Sequence, residues 1–137
     1  MTETFSFNAE SLDKVKFELS KYPEDRKQSA VMSLLDIAQR QNGGWLSKSA
    51  IEHVASHLEM PYIKVYEIVT FYSMYYTTPV GKYFVQVCTT TPCWLKGSDE
   101  VVKACKETIS EKQNELSNDG LFSWMEVECL GACVNAP

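Results

Sequence analysis

Apolar positions recur at helical spacing through the first half of the chain. Leu12, Val15 and Leu19 mark one face of a first helix. Pro23 stands before Glu24 and Asp25, a helix start with acids at the positive end of the dipole. From there Val31, Leu34, Leu35 and Ala38 carry a buried stripe until Gly43-Gly44 stops the second helix. Ser47 or Ser49 can cap a third helix, with Ser49 and Glu52 spaced as a capping box. Its apolar face is Ile51, Val54, Ala55 and Leu58. Pro61 then opens a fourth helix with Val65, Ile68, Val69 and Tyr72 on one side, and the aromatics of 71–76 read as its core.

The pattern changes at Thr77-Thr78-Pro79-Val80-Gly81, a cluster of breakers that predicts a domain boundary. KYFVQVC at 82–88 reads as a strand. Ser98 is placed to cap a helix with Asp99 and Glu100 in its first turn and Val101, Val102, Cys105 and Ile109 inside. Asn118-Asp119-Gly120 is a turn, and LFSWMEVEC at 121–129 is a second strand. Both strands end on a cysteine. The expected fold class is therefore α+β: an N-terminal helical bundle over 1–78, then an α/β domain over 79–137.

Composition narrows what such a chain can do. Its 137 residues are 45% hydrophobic and 12% aromatic, enough for a core. A net charge of −5 disfavours a general polyanion binder. No basic-then-apolar leader is present in the sequence, and the hydrophobic region around 62–76 is interrupted by Lys64 and Glu67 and too short to span a bilayer. A cytoplasmic setting without membrane insertion is expected. Five cysteines in a reducing compartment argue against permanent disulfides, and their odd number argues against a complete framework.

Four of the cysteines form two spaced pairs, Cys88 and Cys93 in VCTTTPCWLKG, and Cys129 and Cys133 in VECLGACVNAP. A strand–helix–strand unit crosses over right-handed and leaves its strands parallel, so both strands finish at one edge of the sheet. Neighbouring strands lie roughly 5 Å apart, which makes Cys88 and Cys129 neighbours and favours one four-thiolate site. Zinc takes four thiolates in one tetrahedron; a [2Fe-2S] cluster takes two on each iron and tolerates pairs set further apart. A redox disulfide is the third option. The loops favour iron–sulfur: Thr89, Thr90, Thr91 and Gly131 can aim N–H or O–H groups at sulfur and tune a potential. Gly131 permits a left-handed turn between ligands, and Pro92 stiffens the approach to Cys93.

CTTTPCWLKG and ECLGACVNAP, preceded by VTFYSMY at 69–75, resemble the thioredoxin-like [2Fe-2S] subunit of respiratory NADH:quinone oxidoreductase. The same module serves soluble NAD-linked hydrogenases and formate dehydrogenases. The resemblance implies that Cys88, Cys93, Cys129 and Cys133 hold one [2Fe-2S] cluster. It also implies a partner subunit carrying FMN and NADH, other iron–sulfur subunits, and a location peripheral to the bacterial inner membrane. The cluster would exchange single electrons with that FMN. Because short loops favour chelating one metal, Cys88 and Cys93 are expected on one iron and Cys129 and Cys133 on the other. The family continues past the equivalent of Pro137, so a truncated or partial domain is expected. Two strands alone make a marginal sheet.

Other features have blander readings. Cys105 reads as a buried structural thiol. His53 and His57 sit four apart but opposite the apolar stripe, with no glutamate following His53, and read as solvent-facing. Trp94 either shields the site, touches a partner or packs. A rival from another class is a zinc-stabilised or cluster-sensing helix-turn-helix over 47–74. Its recognition helix would offer only Lys64 as a cation, beside Glu67, so nucleic acid is not an expected partner. No G-x-G-x-x-G or P-loop is present, and no acid–base constellation, so the chain reads as an enzyme subunit without a nucleotide site of its own.

Overall fold

A computed structural model describes residues 4–137. These fall into two compact units, one ending at Thr78 and one running Pro79–Pro137. The class is α+β, as the pattern predicts.

The first unit is a four-helix arrangement: α1 (Ala9–Leu19), α2 (Val31–Gln41), α3 (Lys48–His57) and α4 (Tyr62–Phe71). Asn8 caps α1 by accepting from the Ser11 N–H at 2.8 Å. Ser47 caps α3, its Oγ accepting from the Ala50 N–H at 3.2 Å. Ser49 instead shares a hydroxyl–hydroxyl bond with Ser47, and Glu52 faces Lys48, so no Ser49–Glu52 capping box forms. The predicted stripes meet in one core where Val15, Leu34, Leu35, Ile51, Val54, Leu58, Val65 and Val69 are all buried. Burying side chains of this kind contributes about 1.5–3 kcal/mol each, before entropy is counted.

Two predicted helices come out differently. Residues 24–30 form a 3₁₀ segment kinked at Arg26 rather than the start of α2. EDRKQSA buries only Ala30, so no apolar stripe is available to hold α-helical turns against the core. The fourth helix stops at Phe71, and Tyr72 is already extended. The aromatics beyond it divide: Phe71 is 80% exposed, whereas Tyr75 is buried. Tyr75 donates its hydroxyl to the Met32 carbonyl at 3.0 Å. Gln39 grips the same stretch with both ends of its amide, donating to Met74 O and accepting from Tyr76 N, each at 3.0 Å. These polar anchors on α2, not helical periodicity, seat residues 74–76.

The second unit is a strand–helix–strand crossover. β1 (Tyr83–Cys88) pairs in parallel with β2 (Phe122–Val127), in a register that sets Cys88 against Val127. Between them lie a short helix α5 (Thr91–Leu95) and the longer α6 (Ser98–Thr108). The core is small: Val87, Val102, Cys105 and Trp124, with Val85 and Ile109 packed beside them. Trp124 is fully buried and donates its indole N–H to the Ser110 carbonyl at 2.8 Å. On the opposite face of β2, Ser123 accepts from the Gly81 N–H at 3.0 Å. Gly81 lies so close that a Cβ would sit 2.5 Å from the Phe122 carbonyl carbon.

Candidate metal centre

The site is built where the two strands end. Cys88 is the last residue of β1, and β2 stops at Val127, two residues short of Cys129. The Thr89 N–H still donates to the Val127 carbonyl, at 3.3 Å, so the chains leave the sheet side by side. After β1 the chain turns into α5, which carries Cys93 in mid-helix with Pro92 in the first turn. A sequence that reads as loop is thus helical here, because Pro92 is favourable near a helix start and Thr90 takes the extended N-cap conformation. After β2, Gly131 at φ +75° reverses the chain, and Cys133 opens a 3₁₀ turn over Cys133–Asn135. The glycine lies in the left-handed region where a Cβ is unfavourable.

All four cysteines line one cavity of about 290 Å³, whose apolar wall includes Val85, Val87 and Val101. The apolar spacing places Val101 inside the helix–sheet core. It is instead 39% exposed and faces this cavity, while Val102 and Cys105 take the core positions. Cys93 is buried, Cys88 half-buried, and Cys129 and Cys133 exposed; all are free thiols. The Cys129 and Cys133 sulfurs are 3.6 Å apart, far longer than a disulfide. That spacing is close to the edge, roughly 3.7 Å, of a tetrahedron with metal–sulfur bonds of ~2.3 Å.

Hydrogen-bond donors converge on the sulfurs from both loops. The Thr90 hydroxyl lies 3.1 Å from Cys88 Sγ, and the Gly131 N–H donates to Cys129 Sγ at 3.3 Å. The Leu130 N–H reaches Cys88 from the other loop. With the Thr90 hydroxyl first among them, and with bonds from the Thr90 backbone and the Cys93 thiol, these donors hold the Cys88 thiol below its ordinary range. Cys93 is pushed up to about 11, because its thiol donates a hydrogen bond to the Cys88 sulfur, is buried, and faces the charge of the other three sulfurs. Cys133 is raised by its hydrogen bond with Cys129 and by that residue's charge. Four thiolates so placed repel one another, and bound cations relieve that repulsion.

The donor set fits a two-iron cluster. Among the described residues no three His, Cys, Asp or Glu side chains stand close enough together to hold a metal ion without some adjustment. Two pairs meeting across one cavity suit two metals, each held by two thiolates. Cys105 lies apart, in the core, its thiol raised by burial alone. Trp94 is 56% exposed and takes no part in the core.

Three expectations need correction or addition. Ser98 does not cap α6: Gly97, at φ +98°, holds the N-cap position, and the Ser98 hydroxyl is buried without a partner. Nor are His53 and His57 solvent-facing. Phe7 packs edge-on against both imidazoles, Phe5 against His53, and the Phe7 N–H donates to His53 Nε2 at 3.4 Å. The only available signal was two phenylalanines close to the N-terminus, which periodicity does not interpret. On α4, Lys64, the one cation of that helix, is paired with Glu67 at 3.1 Å.

A parallel crossover with thiols gathered beyond the carboxyl ends of its strands defines a class: small α/β domains that present cysteines to a metal cluster. The sequence model of the thioredoxin-like [2Fe-2S] ferredoxin family matches residues 15–137. An NADH-quinone oxidoreductase subunit of Rickettsia typhi is 56% identical over 134 residues, covering 98% of this chain and 79% of that protein. The protein of the same name from Rickettsia bellii is also 56% identical, over 97% of this chain and 80% of its own length. The mitochondrial NADH dehydrogenase [ubiquinone] flavoprotein 2 of Dictyostelium discoideum is 50% identical over 97% of this chain and 54% of its own length. The chain belongs to the thioredoxin-like [2Fe-2S] ferredoxin family, and a [2Fe-2S] cluster is its cofactor.

Proposed function

We propose that this chain is the electron-transfer subunit of an NADH:quinone oxidoreductase, with Cys88, Cys93, Cys129 and Cys133 as the four ligands of its cluster. The observation that carries this is the meeting of two cysteine pairs, distant in sequence, across one cavity at one sheet edge. A [2Fe-2S] centre supplies one-electron chemistry between its oxidised and reduced states, at about −400 mV for plant-type, all-cysteine examples.

The chain's own residues do the rest. Cys88 and Cys93 chelate from the end of β1 and from α5; Cys129 and Cys133 chelate from either side of the Gly131 turn. The 3.6 Å sulfur spacing supports Cys129 and Cys133 sharing one metal, which leaves Cys88 and Cys93 to the other. Val85, Val87 and Val101 exclude water from one side of the cavity, while the exposed Cys129 and Cys133 leave the other side open for electron exchange.

The electron partner is the FMN of a neighbouring NADH-oxidising subunit, with further iron–sulfur subunits in the same assembly. The names of the relatives favour this respiratory role over that of the soluble NAD-linked hydrogenases and formate dehydrogenases. Among the described residues no helix is long and apolar enough to cross a membrane, which suits a peripheral position on the bacterial inner membrane through the complex.

The test is chemical analysis of the purified protein with electron paramagnetic resonance after dithionite reduction. We expect a reddish-brown protein with about two irons and two labile sulfides per chain, as a [2Fe-2S] centre requires. Cys88→Ser and Cys129→Ser should lose or displace the signal, while Cys105→Ala retains it. A full wild-type signal in either serine variant overturns the ligand assignment.

A further inference from the structure

Thr90 occupies the N-cap of α5, a place where threonine ordinarily uses its hydroxyl to satisfy a helix N–H. Here it makes no such bond; the hydroxyl is turned back onto Cys88 Sγ at 3.1 Å. The Thr90, Leu130 and Gly131 N–H donors to sulfur belong to the backbone and are present whatever side chain stands there, and the Cys93 thiol loses its proton once it binds a metal. Thr90 therefore supplies the one side-chain hydroxyl found on a candidate ligand sulfur among the described residues. A free thiol can either give or receive in this pair. A metal-bound thiolate has no proton, so the threonine must donate.

A hydrogen bond to a ligand sulfur is strengthened as negative charge accumulates on it. Adding an electron to the cluster increases that charge, so the donor stabilises the reduced state more than the oxidised one. We propose that Thr90 is a positioning residue for electron transfer, whose hydroxyl donates to Cys88 Sγ and raises the reduction potential of the cluster. The proposal rests on Cys88 being a ligand. Half-buried Thr90 also places the bond where water competes with it less than at the exposed second pair.

The test compares Thr90→Val, which keeps the branched shape and removes the hydroxyl, with Thr90→Ser, which keeps the hydroxyl. Midpoint potentials are measured on the cluster-loaded full chain by titration monitored with electron paramagnetic resonance. Thr90→Val should shift the midpoint downward with iron and sulfide content unchanged, and Thr90→Ser should return it close to wild type. An unshifted midpoint in Thr90→Val, or an equal downward shift in Thr90→Ser, overturns the proposal. Where valine prevents cluster loading, Thr90→Ala replaces it under the same criteria. Pulsed resonance after exchange into D₂O gives a second readout: beside the couplings of the exchangeable backbone N–H groups, wild type and Thr90→Ser should show one further deuteron coupling that Thr90→Val lacks, and identical couplings in all three proteins overturn the proposal. Failure of the ligand assignment is separately visible, because Cys88→Ser would then leave the cluster intact.

Discussion

Trp124 is the side chain on which the crossover unit depends most. It is the one aromatic among four buried core residues, fully enclosed in the cluster it forms with Val87 of β1 and Val102 and Cys105 of α6. Replacing it with Phe removes roughly 40 Å² of buried apolar surface, about 1 kcal/mol at ~25 cal/mol per Å². It also removes the 2.8 Å bond to Ser110, worth about 1 kcal/mol. Together these predict ~2 kcal/mol of destabilisation, and Trp124→Ala predicts about 3–5 kcal/mol. The assay is bleaching of the cluster's visible absorbance in urea with an iron chelator, since β2 leads directly to Cys129. If the whole effect falls on unfolding, ~2 kcal/mol accelerates bleaching roughly thirty-fold, an upper bound because folding can absorb a share. An unaltered bleaching rate in Trp124→Ala would show that this core does not hold the two cysteine pairs together.

Gly81→Ala should destabilise the same unit by about 1–3 kcal/mol in urea unfolding, because the new methyl meets the backbone of Phe122, which cannot swing away. Ser47→Ala should cost about 1 kcal/mol by thermal melting through loss of the α3 cap, while Ser49→Ala costs less. His53 is held below its ordinary value near 6.5, first by burial under Phe5 and Phe7 and then by His57. Its folded pKa is depressed, so the unfolded chain binds the extra proton first. The contribution to stability is full above pH 6.5 and falls as acid is added through that value. Followed by proton NMR, His53 should titrate at lower pH in the wild type than in His57→Ala, and residues 4–8 should lose amide protection in acid; protection that rises instead would contradict the packing.

Much of this structure is legible in the sequence where one periodicity meets one environment. The stripes of α1 to α4 announce their buried faces because each packs against a single core. The parallel pairing of β1 and β2 follows from handed crossover, and with it the meeting of Cys88 and Cys129. What escapes has several causes: left-handed backbone geometry, a missing apolar stripe, and contacts made across sequence each override the local signal. Ser98 looks like a cap, but Gly97 in the left-handed region already begins the helix. Residues 24–30 carry helix-start chemistry but lack a stripe to bury. Tyr75 sits in the core through Gln39 and Met32, not through α4. The two histidines acquire a cover from Phe5 and Phe7 that no spacing rule foretells. At the candidate metal centre the gathering of the four cysteines was readable, whereas the helix carrying Cys93 and the turn of Thr90 toward sulfur were not.

The parallel crossover also orders events in time. As the chain is synthesised, Cys88 and Cys93 emerge well before Cys129 and Cys133, and until β2 docks beside β1 a nascent chain can offer only half of the proposed coordination set. An antiparallel mispairing would strand the second pair at the far end of the sheet. Retention of the inorganic core is thus a proofreading mark: colour on the polypeptide reports that the two strands were laid side by side in the same direction.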